Sequence, residues 1–306
     1  RKKMYNNDWE QLNKTRKQLV LLGIIGTILL VAGLILPIVF MAKHPLFFNP
    51  FMILFGMVPG AICWLIFGKG NSGYRKDYKA LVVNRAATGM FDEYSYYAGM
   101  GFDYREIQAT GIMYMGNRYK SEDLVEGRYK GVPFRRADMY IAQHTSSGKS
   151  SHTTVYLRGT WMIFSYNKSF VSDVQVMSKA FGFSNKKTSR LFTRSGDRRH
   201  KLETEDVEFN NMFNVTCQND SEAFYLLTPR VMQMLKLLQA DFMHPFMVGF
   251  VNNALHIAVN TGKDSMEPSV FKALKPELEI EKTRRELKAI CNVIDALAID
   301  RDIFKE

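Results

Sequence analysis

The residues whose spacing comes nearest to a known chemistry are Gly148, Lys149 and Ser150, which resemble the end of a phosphate-binding loop. Such a loop needs a further glycine five residues before Gly148 and a strand-to-helix context. The residue at that position is Gln143, and the polar run 144–152 joins two β patterns instead. The sequence therefore predicts a mobile hairpin loop here and no nucleotide site.

The histidines are the next residues that could do chemistry, as metal ligands or as general bases. His144 and His152 flank the same loop and could meet across it, but two histidines without a carboxylate or thiolate make a poor metal site. No HExxH, CxxC or GxSxG pattern is present. The sequence therefore predicts no catalytic residue, no bound cofactor and no metal ligand.

A cluster of positive charge is the remaining candidate for binding. Arginine pairs well with phosphate oxygens, so an anion or an acidic lipid headgroup could bind there. The alternative, which we favour, is a solvated loop or strand edge neutralised by the acidic residues between Glu203 and Glu208. The cations of the basic stretch 186–201 are Lys186, Lys187, Arg190, Arg194, Arg198, Arg199 and Lys201.

The net charge of +11 is unevenly distributed along the chain. Residues 1–89 contain 12 Lys/Arg against 3 Asp/Glu, whereas residues 90–306 contain 29 against 27. Most of the basicity therefore flanks the apolar segments near the N-terminus, where membrane topology explains it, and nucleic acid is not an expected partner. The three scattered cysteines form no disulfide framework and indicate a reducing compartment.

Two apolar segments near the N-terminus predict a transmembrane hairpin. Residues 19–41 carry no charge, and at about 1.5 Å per residue they exceed a hydrocarbon core of about 30 Å. Residues 47–67 form a second, weaker span that contains Gly56 and Gly60. This GxxxG pair could let the two helices approach closely, or it could reflect the general frequency of glycine in membrane helices.

The charges around the hairpin predict its orientation. Basic residues are concentrated before the first span and after the second, whereas the short connection carries only Lys43. The positive-inside rule then places both termini in the cytoplasm, in a multi-pass protein of the cell membrane. Neither span contains an internal charge, which argues against ion or proton transport.

The rest of the chain predicts an α+β domain with a mainly antiparallel sheet. Alternating patterns over 132–143 and 153–166 predict a long hairpin, with Gly159 as a bulge, and 174–178 should add a strand to the sheet. Further expected elements are a short strand at 111–115, a helical turn at 208–213, an extended segment at 213–217, a helix capped by Thr228, a hairpin around Asn252-Asn253 and a helix over 276–297.

These patterns divide the chain into four parts. The expected order is a basic cytoplasmic segment at 1–18, the transmembrane hairpin at 19–68, a juxtamembrane linker and helix at 69–90, and the cytoplasmic α+β domain at 91–306. The linker is expected to be loose over GKGNSG, before a separate helix at 74–90.

Several segments, taken in order, resemble a known bacterial membrane family, the domain of unknown function 3137. The likeness implies a bacterial origin and a two-helix hairpin followed by a cytoplasmic domain, and it implies no activity. The segments are EGRYKGVPF (126–134), RGTWMIFSYNKSF (158–170), ETEDVEFNNMFNV (203–215) and EAFYLLTP (222–229).

The leading functional interpretation is a membrane-anchored cytoplasmic interaction or sensor domain, whose partners are the lipid bilayer and an unidentified protein. One alternative is a module that binds anionic lipid through the basic stretch 186–201. The other is a membrane-proximal enzyme of unrecognised type that uses His144, His152 or Asp138. A non-enzymatic role is favoured because the sequence contains no catalytic constellation.

Overall fold

The computed structural model describes residues 2–44, 49, 51–148, 150–165, 173–181, 199–263 and 268–297, with backbone only for 2–6. The chain divides into two compact units. The first comprises Arg1–Val82 and Met266–Ile280, and the second comprises Val83–Ser265 and Glu281–Glu306. Segment 266–280 thus belongs with the N-terminal helices.

Two long helices dominate the first unit. Helix α1 spans Lys2–Lys43 and helix α2 spans Phe51–Ala87. Both are long and apolar enough to cross a membrane by length and composition, and only 17% and 11% of their most apolar windows are buried. Phe47, Phe48 and Pro50, at the start of the predicted second span, lie outside the described residues.

The expectation of a loose link over GKGNSG is wrong, because α2 continues through residues 68–73. Glycine, asparagine and serine are poor helix formers, but propensity is a weak prior that tertiary packing overrides. Tyr74 and Tyr78, immediately beyond the link, are buried in an apolar cluster with Trp9 and Phe67. The predicted juxtamembrane helix at 74–90 is therefore the end of α2.

The second unit is built on one antiparallel sheet. Its strand order is β1-β2-β3-β4-β9-β8-β5-β7-β6. The strands are β1 Glu93–Tyr97, β2 Arg118–Tyr129, β3 Val132–Ser147, β4 Ser150–Ser165, β5 Val174–Ser178, β6 His200–Leu202, β7 Phe213–Cys217, β8 Phe246–Val251 and β9 Ala254–Val259.

Five further helices complete the described elements: α3 Tyr104–Ala109, α4 Val207–Met212, α5 Asp220–Leu226, α6 Pro229–Phe242 and α7 Pro276–Leu297. The Thr228 side chain caps α6 by accepting a hydrogen bond from the Val231 amide, as predicted. The bounds of α7 are those predicted for the last helix. The α+β class with a mainly antiparallel sheet is confirmed.

The predicted hairpins are also confirmed. Strands β3 and β4 pair from Phe134↔Phe164 to Ser147↔Ser150, and β8 and β9 pair around Asn252 and Asn253. Both asparagines have positive φ, 53° and 57°, the conformation that a two-residue hairpin turn requires.

Two local expectations are wrong. Residues 111–115 form no strand; Ile112, Met113 and Met115 are buried there as loop residues packed on the sheet. The register shift of the β3–β4 hairpin falls between Ile141 and Ala142 rather than at Gly159. At Gly159 a side chain would overlap the backbone at the end of β9. This close approach, and not a bulge, explains why the position is occupied by glycine.

The core of the second unit lies on the face of the sheet that carries Trp161, Leu157 and Ile141, all fully buried. The opposite face carries an aromatic chain in which Phe213 meets Phe209 and Phe246 at ring-centroid distances of 4.8 and 5.7 Å. Because both faces of the sheet are packed, the strand register is strongly specified. The fixed register holds the polar side chains of the strands in place.

Candidate functional site

Close contact between glycines marks the interface between α1 and α2 in the first unit. A Cβ at Gly56 would lie 2.5 Å from the carbonyl oxygen of Gly33, and one at Gly60 would lie 2.6 Å from the backbone nitrogen of Leu30. Gly26 faces Cys63 at the same interface. The two backbones therefore touch where the sequence places small residues.

The remaining surface of this helix pair is apolar and exposed. Leu36, Phe55 and Leu65 are 67%, 71% and 75% exposed, and the other exposed large apolar side chains in the described parts of both helices are 36–62% exposed. A helix that is apolar all round lies inside a large core or in a membrane. The exposed large apolar side chains in the described parts of α1 and α2 are Leu21, Ile24, Ile25, Ile28, Leu29, Val31, Leu34, Ile35, Leu36, Ile38, Val39, Phe40, Phe51, Met52, Leu54, Phe55, Val58, Ile62, Trp64, Leu65 and Ile66.

Beyond the apolar windows, the first unit has a small core of its own. Trp9 packs edge-on against Tyr78 with ring centroids 6.3 Å apart. The Arg16 guanidinium donates to the carbonyl oxygens of Val270 and Lys272, at 3.4 and 3.0 Å. Burial, followed by the charge of Glu279, raises the pKa of Tyr78 above its usual range.

In the second unit, a buried ion pair lies in the middle of strand β3. Arg136 Nη2 is 2.7 Å from Asp138 Oδ1, with side chains only 2% and 6% exposed. The same guanidinium nitrogen donates to Thr160 Oγ1 at 3.0 Å. Nearby, the Tyr96 hydroxyl donates to Asp123 Oδ1 at 2.7 Å. Burial and the charge of Asp123 raise the pKa of Tyr96 above its usual range.

A buried histidine lies on the other face of the sheet. The indole Nε1–H of Trp161 donates to His256 Nδ1 at 3.3 Å, which requires that nitrogen to be unprotonated. Burial, followed by the charge of Arg135, lowers the pKa of His256 to about 4. His256 is therefore neutral at physiological pH and serves as a hydrogen-bond acceptor in the core.

Three potential metal ligands meet at the β6 edge of the sheet. The register pairs His200 of β6 with Cys217 of β7, so both side chains point to the same face. Asp220 opens helix α5 three residues after Cys217. The ligand atoms of all three lie within 4.8 Å of one another. We call this group the His-Cys-Asp cluster.

Hydrogen bonds connect the three groups of the cluster. His200 Nε2 lies 2.5 Å from Asp220 Oδ1, and the Cys217 thiol donates to the same oxygen over 3.4 Å. The hydrogen bonds from His200 and Cys217 lower the pKa of Asp220. Burial, with Asp220 adding to it, raises the pKa of the Cys217 thiol to about 11. The cysteine is therefore a thiol at neutral pH unless a cation displaces its proton.

The cluster and strands β5 to β9 fall in a region that matches a known family model. Residues 155–299 match the family model described as Protein of unknown function (DUF3137). These residues, slightly less than half of the chain, are similar to the DUF3137 family. The family suggested by the sequence segments is thus confirmed for these residues, and the match does not extend to α1 and α2.

Two other comparisons complete the relationships. No curated protein matches the chain. Among solved structures, the crystal structure of the mycobacterial trehalose monomycolate transport factor A, TtfA, aligns with a TM-score of 0.42 at 12% sequence identity. The alignment covers 72% of this chain and 95% of that one.

Most of the basic stretch 186–201 lies outside the described residues, including Lys186, Lys187, Arg190, Arg194 and Arg198. Arg199 is described, and its guanidinium donates to the carbonyl oxygen of Gly111 at 2.8 Å. Lys201 pairs with Glu203 at 2.8 Å. These two cations are thus engaged by the second unit itself.

The residues considered for catalysis are separated by the fold. His144 pairs with Thr153 and His152 with Thr145, so neighbouring positions place the two histidines on opposite faces of the hairpin. The expectation that they could meet across the loop is therefore wrong. Asp138 is held by Arg136 in the interior, and Lys149 lies outside the described residues.

Sequence reasoning missed the His-Cys-Asp cluster of the DUF3137 region. The available signal was the spacing Cys217-x-x-Asp220 at a strand end that leads into a helix. His200 could not be added from spacing, because strand register alone brings it beside Cys217.

Proposed function

We propose that this protein is an integral membrane protein in which the α1–α2 hairpin anchors the DUF3137 region at the cytoplasmic face, where it acts as an interaction or sensor domain. The observation that carries the proposal is the apolar, exposed surface that surrounds the glycine contacts of the hairpin. Lipid tails are the solvent that this surface fits.

The energetic argument follows from the exposed side chains. Covering one Leu, Ile or Phe side chain contributes about 1.5–3 kcal/mol when it leaves water completely. The described parts of α1 and α2 expose twelve and nine large apolar side chains. A bilayer removes this cost without a protein partner, whereas a water-soluble fold would leave it in place.

Charge distribution supports the orientation. Lys14, Arg16 and Lys17 precede the apolar part of α1, and Lys69, Arg75 and Lys76 follow that of α2. The connection carries Lys43. The positive-inside rule therefore favours cytoplasmic ends for both helices.

Labelling of single introduced cysteines tests the anchoring and its orientation. In whole cells, a membrane-impermeant maleimide should modify His44→Cys, while Ser147→Cys should react only after permeabilisation. The parent chain supplies the background from its own three cysteines. Release of the protein from membranes by alkaline carbonate, or labelling of Ser147→Cys in intact cells, would contradict the proposal.

The interaction role requires a separate test. A tethered domain meets membrane-bound partners at a raised effective concentration, which suits a weak binder. Lysine crosslinking in native membranes should give a discrete adduct whose linked peptides come from the DUF3137 region. Adducts formed only through lysines of α1 and α2 would assign the contact to the hairpin and contradict an interaction role for the sheet.

A further inference from the structure

We propose that His200, Cys217 and Asp220 form a binding site for a divalent transition-metal cation, and that zinc is the ion that fits it best. The proposal is independent of membrane anchoring, because it rests only on side chains of the second unit. It goes beyond the interaction role by naming a ligand and the residues that hold it.

The separations between the three ligand atoms lie within about 1 Å of those around a tetrahedral ion. With zinc bonds of about 2.0 Å to nitrogen and oxygen and about 2.3 Å to sulfur, tetrahedral ligands lie about 3.3–3.5 Å apart. In the structure, Cys217 Sγ lies 3.4 Å from Asp220 Oδ1 and 4.0 Å from His200 Nε2. The distance between His200 Nε2 and Asp220 Oδ1 is 2.5 Å. Side-chain rotations that move each ligand atom by less than about 1 Å would satisfy all three distances.

The donor set selects the class of ion. Imidazole nitrogen and thiolate sulfur suit zinc and its neighbours, whereas magnesium and calcium prefer oxygen ligands alone. Three protein ligands leave the fourth tetrahedral position for water or another group. His200 and Asp220 have side chains 51% and 55% exposed, so an ion can enter from solvent.

The backbone holds each ligand in place. Cys217 is fully buried on β7, which pairs with β5 on one side and β6 on the other. His200 is fixed by its register with Cys217. Asp220 follows Asn219, whose side chain accepts hydrogen bonds from the Ser221 and Glu222 amides and caps α5. The site is therefore built on paired strands and a capped helix start.

Without an ion, the cluster satisfies itself by hydrogen bonding to the Asp220 carboxylate. When an ion binds, the Cys217 thiol loses its proton to solvent, and His200 coordinates through Nε2 as a neutral imidazole with its proton on Nδ1. Sulfur, nitrogen and the Asp220 carboxylate oxygen then each donate an electron pair to the cation. The bound ion would join β6, β7 and α5 at one point.

Metal binding by the full chain in detergent tests the proposal, using reduced protein without a polyhistidine tag. We expect one equivalent of Zn²⁺ in competition with a chromophoric chelator. Cys217→Ser, His200→Gln and Asp220→Asn should each weaken binding on the order of 100-fold or more, since even outer-shell changes cost 10–100-fold. Co²⁺ should give a thiolate charge-transfer band that Cys217→Ser abolishes.

Cys291→Ser is the matched control, because Cys291 is also a buried free cysteine of the second unit. It should bind Zn²⁺ like the parent. Asp220→Glu should restore part of the affinity lost in Asp220→Asn. If Cys217→Ser does not fold, the two variants at exposed positions decide the outcome. No saturable Zn²⁺ binding, or binding that survives all three ligand substitutions, would overturn the proposal.

Discussion

The interior of the sheet and its β6 edge both contain polar groups in contact with one another, but the two sets of groups differ in their exposure to solvent. In the interior, Arg136 is matched to Asp138 and His256 to Trp161, with side chains almost inaccessible to solvent. At the edge, His200 and Asp220 are about half exposed and share their contacts with a buried cysteine. The interior groups are paired with one another away from solvent, whereas the edge groups can accept a ligand.

The difference follows from the cost of burying charge. An ion taken out of water loses several kcal/mol of solvation, so a buried charge persists only with a partner in good geometry. Solvent screens an exposed group and allows it to exchange partners. Stability should therefore depend strongly on the interior groups and weakly on the edge groups.

The largest expected effect is that of Asp138→Asn. The substitution keeps the shape of the side chain but leaves the Arg136 guanidinium buried beside a neutral amide. Breaking a buried pair in this way costs about 3–5 kcal/mol of unfolding free energy. Urea unfolding of the full chain in detergent measures it, with Trp161 as the reporter after Trp9→Phe and Trp64→Phe. Asp220→Asn is the matched edge variant, and a loss as large as that of Asp138→Asn would refute the comparison.

The second prediction concerns acid stability. His256 has a folded pKa of about 4 against an ordinary value of 6.5, so the native state stays neutral where the unfolded chain takes up a proton. The stabilisation is complete above pH 6.5 and is lost as pH falls from 6.5 towards 4, by up to about 3 kcal/mol. His256→Gln, which keeps an acceptor for Trp161, should flatten this part of the stability profile. Identical profiles for parent and variant would show that His256 is not the group responsible.

Loss of one interior hydrogen bond should have a smaller effect. Tyr96→Phe removes the hydroxyl that donates to Asp123 at 2.7 Å. A hydrogen bond to a charged group contributes about 2 kcal/mol. Tyr94→Phe is the control, because that hydroxyl donates to a backbone carbonyl at an exposed site. Equal losses for the two tyrosines would mean that burial does not set the value of the bond.

The smallest effect should come from Arg135→Gln. Arg135 is the second cause of the low pKa of His256, after burial. Removing its charge should raise that pKa by less than about one unit, or about 1 kcal/mol. The loss of stability on acidification should become smaller by up to about 1 kcal/mol and level off at a slightly higher pH, and this change should be absent in a His256→Gln background. A shift that persists in that background would assign the effect to another group.

Local signals in the sequence were sufficient for many elements of the fold. Proline at 276 and the acidic start that follows define α7, and Thr228 with Pro229 defines the start of α6. Strand β2 was missed because its alternation is interrupted between Glu122 and Val125, where Asp123 has a positive φ of 60°. A period-2 pattern broken by a bulge does not stand out from a loop.

Long-range pairing was not accessible in the same way. The return of segment 266–280 to the N-terminal helices depends on Val270 joining Trp9 and Tyr78 in one apolar cluster. The approach of His200 to Cys217 depends on the register of two short strands. Neither contact leaves a trace in residue spacing, because the packing of distant segments decides it.

The glycine contacts between α1 and α2 limit which positions of the hairpin can change during evolution. A position that faces lipid tolerates exchange among Leu, Ile, Val and Phe, since their free energies of insertion into hydrocarbon are similar. Gly33 and Gly56 tolerate no side chain, because each lies against the other's backbone. Among proteins that evolve from this one, we expect the lipid-facing positions of α1 and α2 to be substituted freely, while Gly33 and Gly56 are retained.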